Sequence, residues 1–467
     1  MASRSAGEAD ARLLAVLPPE SLFAVGGRVR DEQRTALDGV ARPAKDLDYV
    51  VVGMGLDELL ERLQNAGHAR VVGASFAVVK VYLGDAVADV AVPRRERSTG
   101  VGHRDFAVEA GPGVSLTEDL ARRDFRMNML ARAVCSEDIV DPYGGVADIR
   151  ARRIDLLREE AFAEDPLRML RAAQFAARFR FELTDRTFAA MQASAGLVGT
   201  LSPERMRDEL LKLLTAPTAS FGFELLRKSG VLACILPELL EGVGVVQNEF
   251  HAFDVYDHNL ATLDATPPDD PVLRLASLLH DVGKPRTKDG AHFYRHEFVG
   301  EAMVAELMHR LRFASGETET VARLVRNHMY AAGPELGDAA IRKFIRRVGS
   351  DNIARQFGLR SADIAGSGLP KRSHDNERFE ARVRATLAQA PPLSVRDLSI
   401  NGDDVLDLAT QLGRLPRGSR GGPLVGRVLA DLLEQVTEDP TLNQRDLLKA
   451  LAQAAIGRER VPQGTSR

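Results

Sequence analysis

Two aspartates one residue apart, Asp46 and Asp48, carry the first chemical signal in this chain. A β-branched and aromatic run at 49–52 follows them and predicts a strand. Because alternate residues of a strand share a face, both carboxylates would point the same way. Paired hard oxygen donors suit Mg²⁺, which in turn suits phosphate groups. Read alone, the same pair is also typical of a solvated strand edge.

Two further features lie close to this pair in the predicted head of the chain. Gly26 and Gly27 end an apolar run before a predicted helix, where backbone N–H groups can cradle a phosphate. Two glycines also form ordinary tight turns. Asp89, on the second strand of a hairpin predicted over 77–92, would add a third carboxylate. Together these features predict metal-dependent chemistry on a nucleoside triphosphate.

Length and composition limit the class of protein that could carry out this chemistry. A chain of 467 residues predicts two to four domains. Hydrophobic residues at 45% and charged residues at 27% are ordinary for a soluble globular protein. The net charge of -4 excludes a global basic excess, so a nucleic acid would need a local patch. Two cysteines, the lack of a leader-like segment over 1–19 and the lack of a bilayer-length apolar run predict a cytoplasmic protein without a membrane span.

Two more segments place arginines beside carboxylates. Arg123 stands beside Asp124, and a guanidinium fork suits triphosphate oxygens while a carboxylate can accept from a ribose hydroxyl. Asp165 and Arg168 lie three residues apart on one helical face, where they could hydrogen-bond the Watson–Crick edge of a base. Helix capping and i,i+3 ion pairing would explain the same residues without any function.

In their order along the chain, these segments resemble the motifs of the class II tRNA nucleotidyltransferases, the family of CCA-adding enzymes and bacterial poly(A) polymerases. The resemblance covers about the N-terminal half, through six motifs at 26–31, 45–48, 122–128, 141–145, 164–171 and 202–210. It implies an α+β nucleotidyltransferase head with a mixed β-sheet and helices, followed by an all-α neck, body and tail. The implied boundaries are head 18–150, neck 151–245, body 246–370 and tRNA-binding tail 371–460.

The resemblance also implies roles for individual residues. It assigns Mg²⁺ binding and catalysis to Asp46 and Asp48, with Asp89 as a third acid. Nucleotide binding falls to Gly27, Arg30, Arg123, Asp124, Asn128, Glu164, Asp165, Arg168 and Arg171. Within that set, Asp165 and Arg168 would template the base, and Glu164 would orient Arg168. The implied partners are tRNA, CTP and ATP.

The C-terminal half carries a separate signal. The pair His280-Asp281 follows an apolar helical stripe, and more distant His and Asp residues could complete a set of nitrogen and oxygen ligands for a divalent metal. A single histidine is usually only a core or surface residue, but the ordered set resembles the HD phosphohydrolase pattern. That resemblance implies a divalent transition metal such as Ni²⁺ or Mn²⁺, with ligands His258, His280, Asp281 and Asp363, and with His296 and His328 serving a second metal or the substrate.

The resulting hypothesis is a tRNA nucleotidyltransferase that adds or repairs the 3′-terminal CCA, with an HD metal-dependent phosphohydrolase. The nearest alternative is an A-adding enzyme or a poly(A) polymerase. Alternatives of another class are an HD phosphohydrolase that uses the head only to bind RNA, and a non-catalytic RNA-binding protein. The segment 94–115 is rich in glycine and charge, which predicts a long mobile loop. The sequence makes no prediction of oligomeric state.

Overall fold

A computed structural model describes residues 2–42, 46–72, 77–98, 106–249, 251–370, 374–420 and 422–458. They form two compact units. The first runs to Glu241 and adds Pro267–Pro271 and Leu307–Phe313, and the second comprises Gly242–Thr266, Val272–Glu306 and the chain from Ala314 onward. Lys45, which opens the Asp46 motif, lies outside the described residues.

The first unit combines strands and helices. Its strands are β1 Leu22–Val25, β2 Leu47–Val51, β3 His68–Val72, β4 Val78–Leu83, β5 Ala86–Ala91, β6 Arg94–Ser98, β7 Phe106–Ala110, β8 Ala131–Ala133, β9 Ile139–Val140, β10 Arg153–Ile154 and β11 Glu182–Leu183. Its helices are α1 Ala2–Leu14, α2 Gly27–Asp38, α3 Leu56–Gln64, α4 Leu116–Ala121, α5 Gly145–Arg150, α6 Ala161–Glu164, α7 Leu167–Phe179, α8 Asp185–Ser194, α9 Pro203–Leu214, α10 Ala219–Lys228, α11 Leu232–Ile235 and α12 Pro237–Leu240.

The main sheet of the first unit has seven strands in the order β3-β4-β5-β2-β1-β8-β9. It is mixed, because β2 pairs in parallel with β5 and antiparallel with β1. The apolar run at 49–51 is buried, as expected for a strand with a neighbour on both sides. The hairpin predicted over 77–92 is confirmed as β4 and β5. The register sets Asp48 directly beside Asp89.

The prediction of a long loop over 94–115 is wrong for 94–98 and 106–110, which are strands. β6 and β7 form an antiparallel ribbon in which Arg94 pairs with Ala110 and Ser98 with Phe106. Arg95 bonds Glu109 across the ribbon at 2.9 Å, so opposite charges on facing strands support the pairing. The middle of the segment, 99–105, lies outside the described residues.

The second unit is mainly helical. Its helices are α13 Val255–Ala265, α14 Pro271–Leu279, α15 His296–Arg310, α16 Ser315–Arg326, α17 Asp338–Val348, α18 Ile353–Gly366, α19 His374–Ala388, α20 Gly402–Gln411, α21 Pro423–Glu438 and α22 Arg445–Arg458, and a short ribbon joins β12 Lys288–Asp289 to β13 His292–Phe293. Three of these helices, α20 to α22, enclose a core of their own around Leu432 and Leu448.

These two units confirm the predicted fold class, an α+β head with a mixed sheet followed by helices. Cys135 and Cys234 are both free. Among the described residues, no helix has the length and hydropathy that crossing a membrane requires.

Candidate active sites

The first unit contains a large pocket, here called the head pocket, of about 1080 Å³. Ten arginines and one lysine line it, against five aspartates, so its walls carry an excess of positive charge that suits a polyanion. Of the residues predicted to act in the head, the pocket brings together Gly27, Arg30, Asp46, Asp48, Arg123, Asp124, Asn128, Asp165, Arg168 and Arg171. Asp89 and Glu164 are outside its lining.

The Gly26–Gly27 turn meets the acidic strand at one end of the head pocket. Gly26 has a φ of 74°, a conformation that glycine adopts without steric cost. A Cβ there would lie 3.3 Å from Arg123 Nη1 and 3.4 Å from Asp48 Oδ2, so a side chain at Gly26 would crowd both groups. Helix α2 begins at Gly27, and its first N–H groups are donors for an anion.

The carboxylates at this end of the pocket suit a cation. Burial first, and then the negative charge of Asp46, raises the pKa of Asp48, although Arg123 opposes the shift. Each carboxylate makes it harder for the other to carry its negative charge, and a bound divalent ion would remove this repulsion. Asp89 stands beside Asp48 on β5 but pairs with Lys80 at 2.6 Å.

A chain of hydrogen bonds joins residues that were predicted to bind different parts of one nucleotide. Arg30 Nη1 donates to Asn128 Oδ1 at 2.8 Å, and Asn128 Nδ2 donates to Asp124 Oδ1 at 2.8 Å. Arg171 Nε donates to the other oxygen of Asp124 at 2.8 Å. Burial alone would raise the pKa of Asp124, but the charge of Arg171 and these bonds lower it, so the carboxylate is an anion. The side chains are therefore held in place before any ligand arrives.

The predicted base-templating residues have partners of their own. Asp165 accepts two bonds from Arg205 Nη2, at 3.1 and 3.3 Å. Arg168 donates to the carbonyl of Arg122 at 2.7 Å. Glu164 lies 3.6 Å from Arg168 but only 2.9 Å from Arg158.

Arg205 is a site residue that sequence reasoning missed. It belongs to the motif at 202–210, but nothing in the spacing of that motif indicated contact with Asp165, 40 positions upstream. Pro203 starts α9, and its first turn carries Arg205 towards the first turn of α7.

The second unit holds the predicted histidines and aspartates in one buried group, here called the histidine cluster. The Nε2 atoms of His258 and His280 are 3.1 Å apart, and those of His296 and His328 are also 3.1 Å apart. Asp281 lies between the two pairs: its Oδ2 is 3.3 Å from His280 and its Oδ1 is 3.3 Å from His296. Asp363 Oδ1 completes the first pair, 3.2 Å from His258.

The proton positions in the histidine cluster suit metal ions. Each of four Nδ1 atoms donates to a backbone carbonyl at 2.7–3.1 Å, namely those of His258, His280, His296 and His328. In a neutral imidazole such a bond fixes the tautomer and leaves Nε2 with a lone pair for a metal ion. Two Nε2 atoms that face each other at 3.1 Å repel unless a proton or a metal ion lies between them. The donors form three groups that could hold an ion, and Asp281 belongs to two of them.

Three further residues of this site were not predicted. His251 forms a ligand group with His258 and Asp281. Burial, then the charge of Lys284, lowers the pKa of His251 to about 3, so its imidazole is neutral. Lys284 Nζ lies 2.5 Å from Asp281 Oδ2 and lines the adjoining cavity of about 400 Å³ together with Arg360. A lysine four residues after the histidine was visible in the sequence, but its burial was not.

Comparison with known proteins extends this picture. The model of the Poly A polymerase head domain matches residues 22–155, that of the probable RNA and SrmB-binding site of polymerase A matches 180–242, and that of the HD domain matches 250–364. A multifunctional CCA protein of Nitrosococcus oceani is 37% identical over 387 residues, covering 79% of this chain and 92% of that protein. Its counterpart in Halorhodospira halophila is 38% identical over 321 residues, covering 66% of this chain and 74% of that protein.

Two solved structures share the fold. The Bacillus stearothermophilus CCA-adding enzyme in complex with CTP superposes with a TM-score of 0.65 at 23% identity, covering 93% of this chain and 92% of that one. The Thermotoga maritima CCA-adding enzyme complexed with tRNA gives a TM-score of 0.51 at 19% identity, covering 95% and 94%.

Proposed function

The chain belongs to the multifunctional CCA protein family, and from that premise we infer that it is a tRNA nucleotidyltransferase that adds or repairs the 3′-terminal CCA with CTP and ATP. The observation that supports this best is the head pocket, where a glycine turn, two carboxylates and many arginines converge. The nucleotidyltransferase and HD domains both imply the use of divalent metal ions. We propose Mg²⁺ for the head, and a transition metal such as Ni²⁺ or Mn²⁺ for the histidine cluster.

The proposed chemistry in the head is attack of the tRNA 3′-hydroxyl on the α-phosphorus, with loss of pyrophosphate. Asp46 and Asp48 would hold the metal, which when bound activates the hydroxyl and neutralises the leaving group. The first turn of α2 and Arg123 would bind the phosphates. Asp89 is the weakest of the three proposed acids, because Lys80 already neutralises it.

Recognition of the nucleotide would use the side chains already linked by hydrogen bonds. Asp124 and Asn128 would face the ribose and Arg30 the triphosphate, while Arg171 holds Asp124 in place. Asp165 and Arg168 would read the base, which allows a choice between CTP and ATP without a nucleic-acid template. We propose that Glu164 limits the movement of Arg168.

The proposed division of labour along the chain is head 18–150, neck 151–245, HD body 246–370 and tail 371–460. In the tail, helix ends and basic side chains would bind the tRNA backbone by its shape. We propose a cytoplasmic enzyme, because tRNA, CTP and ATP are found there.

A nucleotide-by-tRNA-end assay tests the function of the head. Purified protein, Mg²⁺ and tRNA ending before CCA should incorporate two C residues with CTP alone and CCA with both nucleotides. Incorporation of ATP only, and only on tRNA ending in CC, would support the A-adding alternative. Repeated addition of A would support the poly(A) polymerase alternative. No incorporation on any tRNA would contradict a catalytic head.

We expect Asp165→Asn to weaken nucleotide choice. The substitution replaces a carboxylate oxygen, an acceptor, with an NH₂ donor at the position proposed to read the base. A hydrogen bond to a charged group is worth about 1.5–3 kcal/mol, so kcat/KM for CTP and ATP should fall by ~10–100-fold. Rates with UTP and GTP should change much less. The measurement is kcat/KM for each of the four triphosphates.

The matched control for that experiment is Asp208→Asn, the same exchange at a more exposed aspartate on α9 that pairs with Arg207. It should behave as wild type. An equal loss for all four triphosphates in Asp165→Asn would show that Asp165 supports the fold and does not read the base.

The histidine cluster supports a second activity, a metal-dependent phosphohydrolase. The observation that favours it is Asp281, whose two oxygens each approach a different pair of histidine nitrogens. Asp281 and the histidines around it would hold the metal, which when bound would activate water against a phosphoester. Lys284 and Arg360, in the wall of the adjoining cavity, would bind the phosphate.

A further inference from the structure

Helix α1 lies before residue 22, where the match to the head-domain model begins. One of its carboxylates, that of Asp10, contacts residues of α2 and β2. Arg28 Nη2 donates to Asp10 Oδ2 at 2.6 Å, and the Tyr49 hydroxyl donates to Asp10 Oδ1 at 2.6 Å. Arg28 Nη1 in turn donates to the Tyr49 hydroxyl at 2.8 Å. Three residues from three separate elements thus form a closed triangle of hydrogen bonds.

The triangle continues into a ring of alternating charges, here called the Asp10 ring. Arg28 Nε donates to Glu32 at 2.9 Å, Arg132 Nε donates to Glu32 at 3.0 Å, and Arg132 Nη2 returns to Asp10 at 3.2 Å. Two positive and two negative charges balance within it. Burial alone would raise the pKa of Asp10, but the bonds from Arg28 and Tyr49 lower it, so Asp10 is an anion.

The members of the Asp10 ring are neighbours of the proposed reaction centre. Arg28 directly follows Gly27, at the turn proposed to bind phosphate, and Tyr49 directly follows Asp48, the proposed metal ligand. Arg28 has a side chain only 4% exposed, and Tyr49 is 1% exposed. Since neither can move without breaking its bonds to Asp10, the carboxylate fixes the turn against the strand.

Anchoring of α1 does not require this carboxylate. Ala6, Ala9 and Leu13 share a face at helical spacing and are 8%, 1% and 0% exposed, so an apolar stripe already docks the helix. Buried ion pairs add little net stability to a fold, but they can select one geometry among several. The Asp10 ring is therefore better suited to fixing the start of α2 relative to β2 than to anchoring α1.

We propose that Asp10 is a positioning residue for nucleotidyl transfer: through Arg28 and Tyr49 it sets the spacing between the phosphate-binding turn and the metal-binding strand. The inference rests on the proposed roles of Gly27 and Asp48. Asp10 acts through other side chains and does not touch the substrate.

The test compares Asp10→Asn, Tyr49→Phe and Glu8→Gln in the full-length protein. Each is assayed for CMP incorporation into tRNA lacking CCA, across a series of Mg²⁺ concentrations, well below its unfolding temperature. Small misplacements of reacting groups cost up to about 10²-fold, so we expect Asp10→Asn to lower kcat by ~10-fold and to need more Mg²⁺ for half-maximal rate. The KM for tRNA should stay unchanged.

Tyr49→Phe should shift both quantities in the same direction by less, because Arg28 still binds Asp10. Glu8→Gln changes an exposed carboxylate on the same helix and should match wild type. If Asp10→Asn unfolds at a lower temperature but keeps the wild-type kcat and Mg²⁺ requirement, Asp10 is only a structural residue. If Asp46→Ala with Asp48→Ala still incorporates CMP, the metal site on which this inference rests is wrong, whatever Asp10→Asn does. If the wild-type protein incorporates no CMP, the proposed function itself fails.

Discussion

Asp48→Asn should lower kcat for nucleotide incorporation by about 10³-fold or more, because a metal-bound carboxylate supports several kcal/mol of charge stabilisation in the transition state. The amide keeps the volume of the side chain but offers the metal only one neutral oxygen. The loss should be equal for CTP and ATP, since the metal acts on the phosphates and not on the base. Binding of tRNA should be unchanged.

Asp48→Asn should lower the activity without lowering the thermal stability of the protein. The same residue is half-buried near Arg123, and partial burial with the charge of Asp46 raises its pKa. Removing one of two mutually repelling carboxylates relieves that repulsion, so thermal stability without metal should not fall. Asp57→Asn, at an exposed acid at the start of α3, is the matched control and should keep full activity. Undiminished incorporation by Asp48→Asn would place the metal ligands elsewhere in the pocket.

Local sequence patterns predicted those elements of the head whose conformation depends on residues that are adjacent in the sequence. The hairpin of β4 and β5 follows from alternating apolar residues around Gly84-Asp85, and β2 follows from its apolar run. The start of α2 follows from Gly26, which takes the positive φ that ends β1. Their positions bring Asp48 and the glycine turn together, as the order of the motifs predicted.

Contacts between distant parts of the chain could not be predicted in the same way. The β6–β7 ribbon is paired through Arg95 and Glu109, which composition alone presents as a charged loop. Arg205 reaches Asp165 only because two helices begin side by side. The Asp10 ring joins residues up to 122 positions apart in the sequence. Each charged residue in it, taken alone, is typical of an exposed surface position. Such partners are set by packing, which no periodicity reveals.

The ordered histidines were predictable as a set, but the way they divide was not. The sequence predicted four ligands and two separate histidines. In the structure Asp281 also approaches the second histidine pair, and His251 adds a further nitrogen donor on the first side. We therefore expect a large effect from loss of this aspartate, because its loss removes a ligand from both histidine pairs at once.

Asp281→Asn should abolish the proposed phosphohydrolase, lowering hydrolysis of a 2′,3′-cyclic nucleotide by about 10³-fold or more. Asparagine keeps the volume, so the cluster stays packed, but it lacks the negative charge that would help to hold a divalent ion. The metal bound per chain, measured after dialysis against Ni²⁺ or Mn²⁺, should fall together with the hydrolysis. CCA addition should be unchanged, since none of the residues proposed for it belongs to this cluster.

The control for Asp281 is Glu319→Gln, an exposed acid on α16, which should keep both the metal content and the hydrolysis. Metal content and hydrolysis together distinguish the possible roles of Asp281. Full metal content without hydrolysis in Asp281→Asn would mean that the histidines and Asp363 bind the ions and that Asp281 acts on substrate or water. Unchanged hydrolysis would contradict a catalytic histidine cluster. A wild-type protein that binds metal but hydrolyses no phosphoester would show that the histidine cluster is a structural metal site and not a catalytic one.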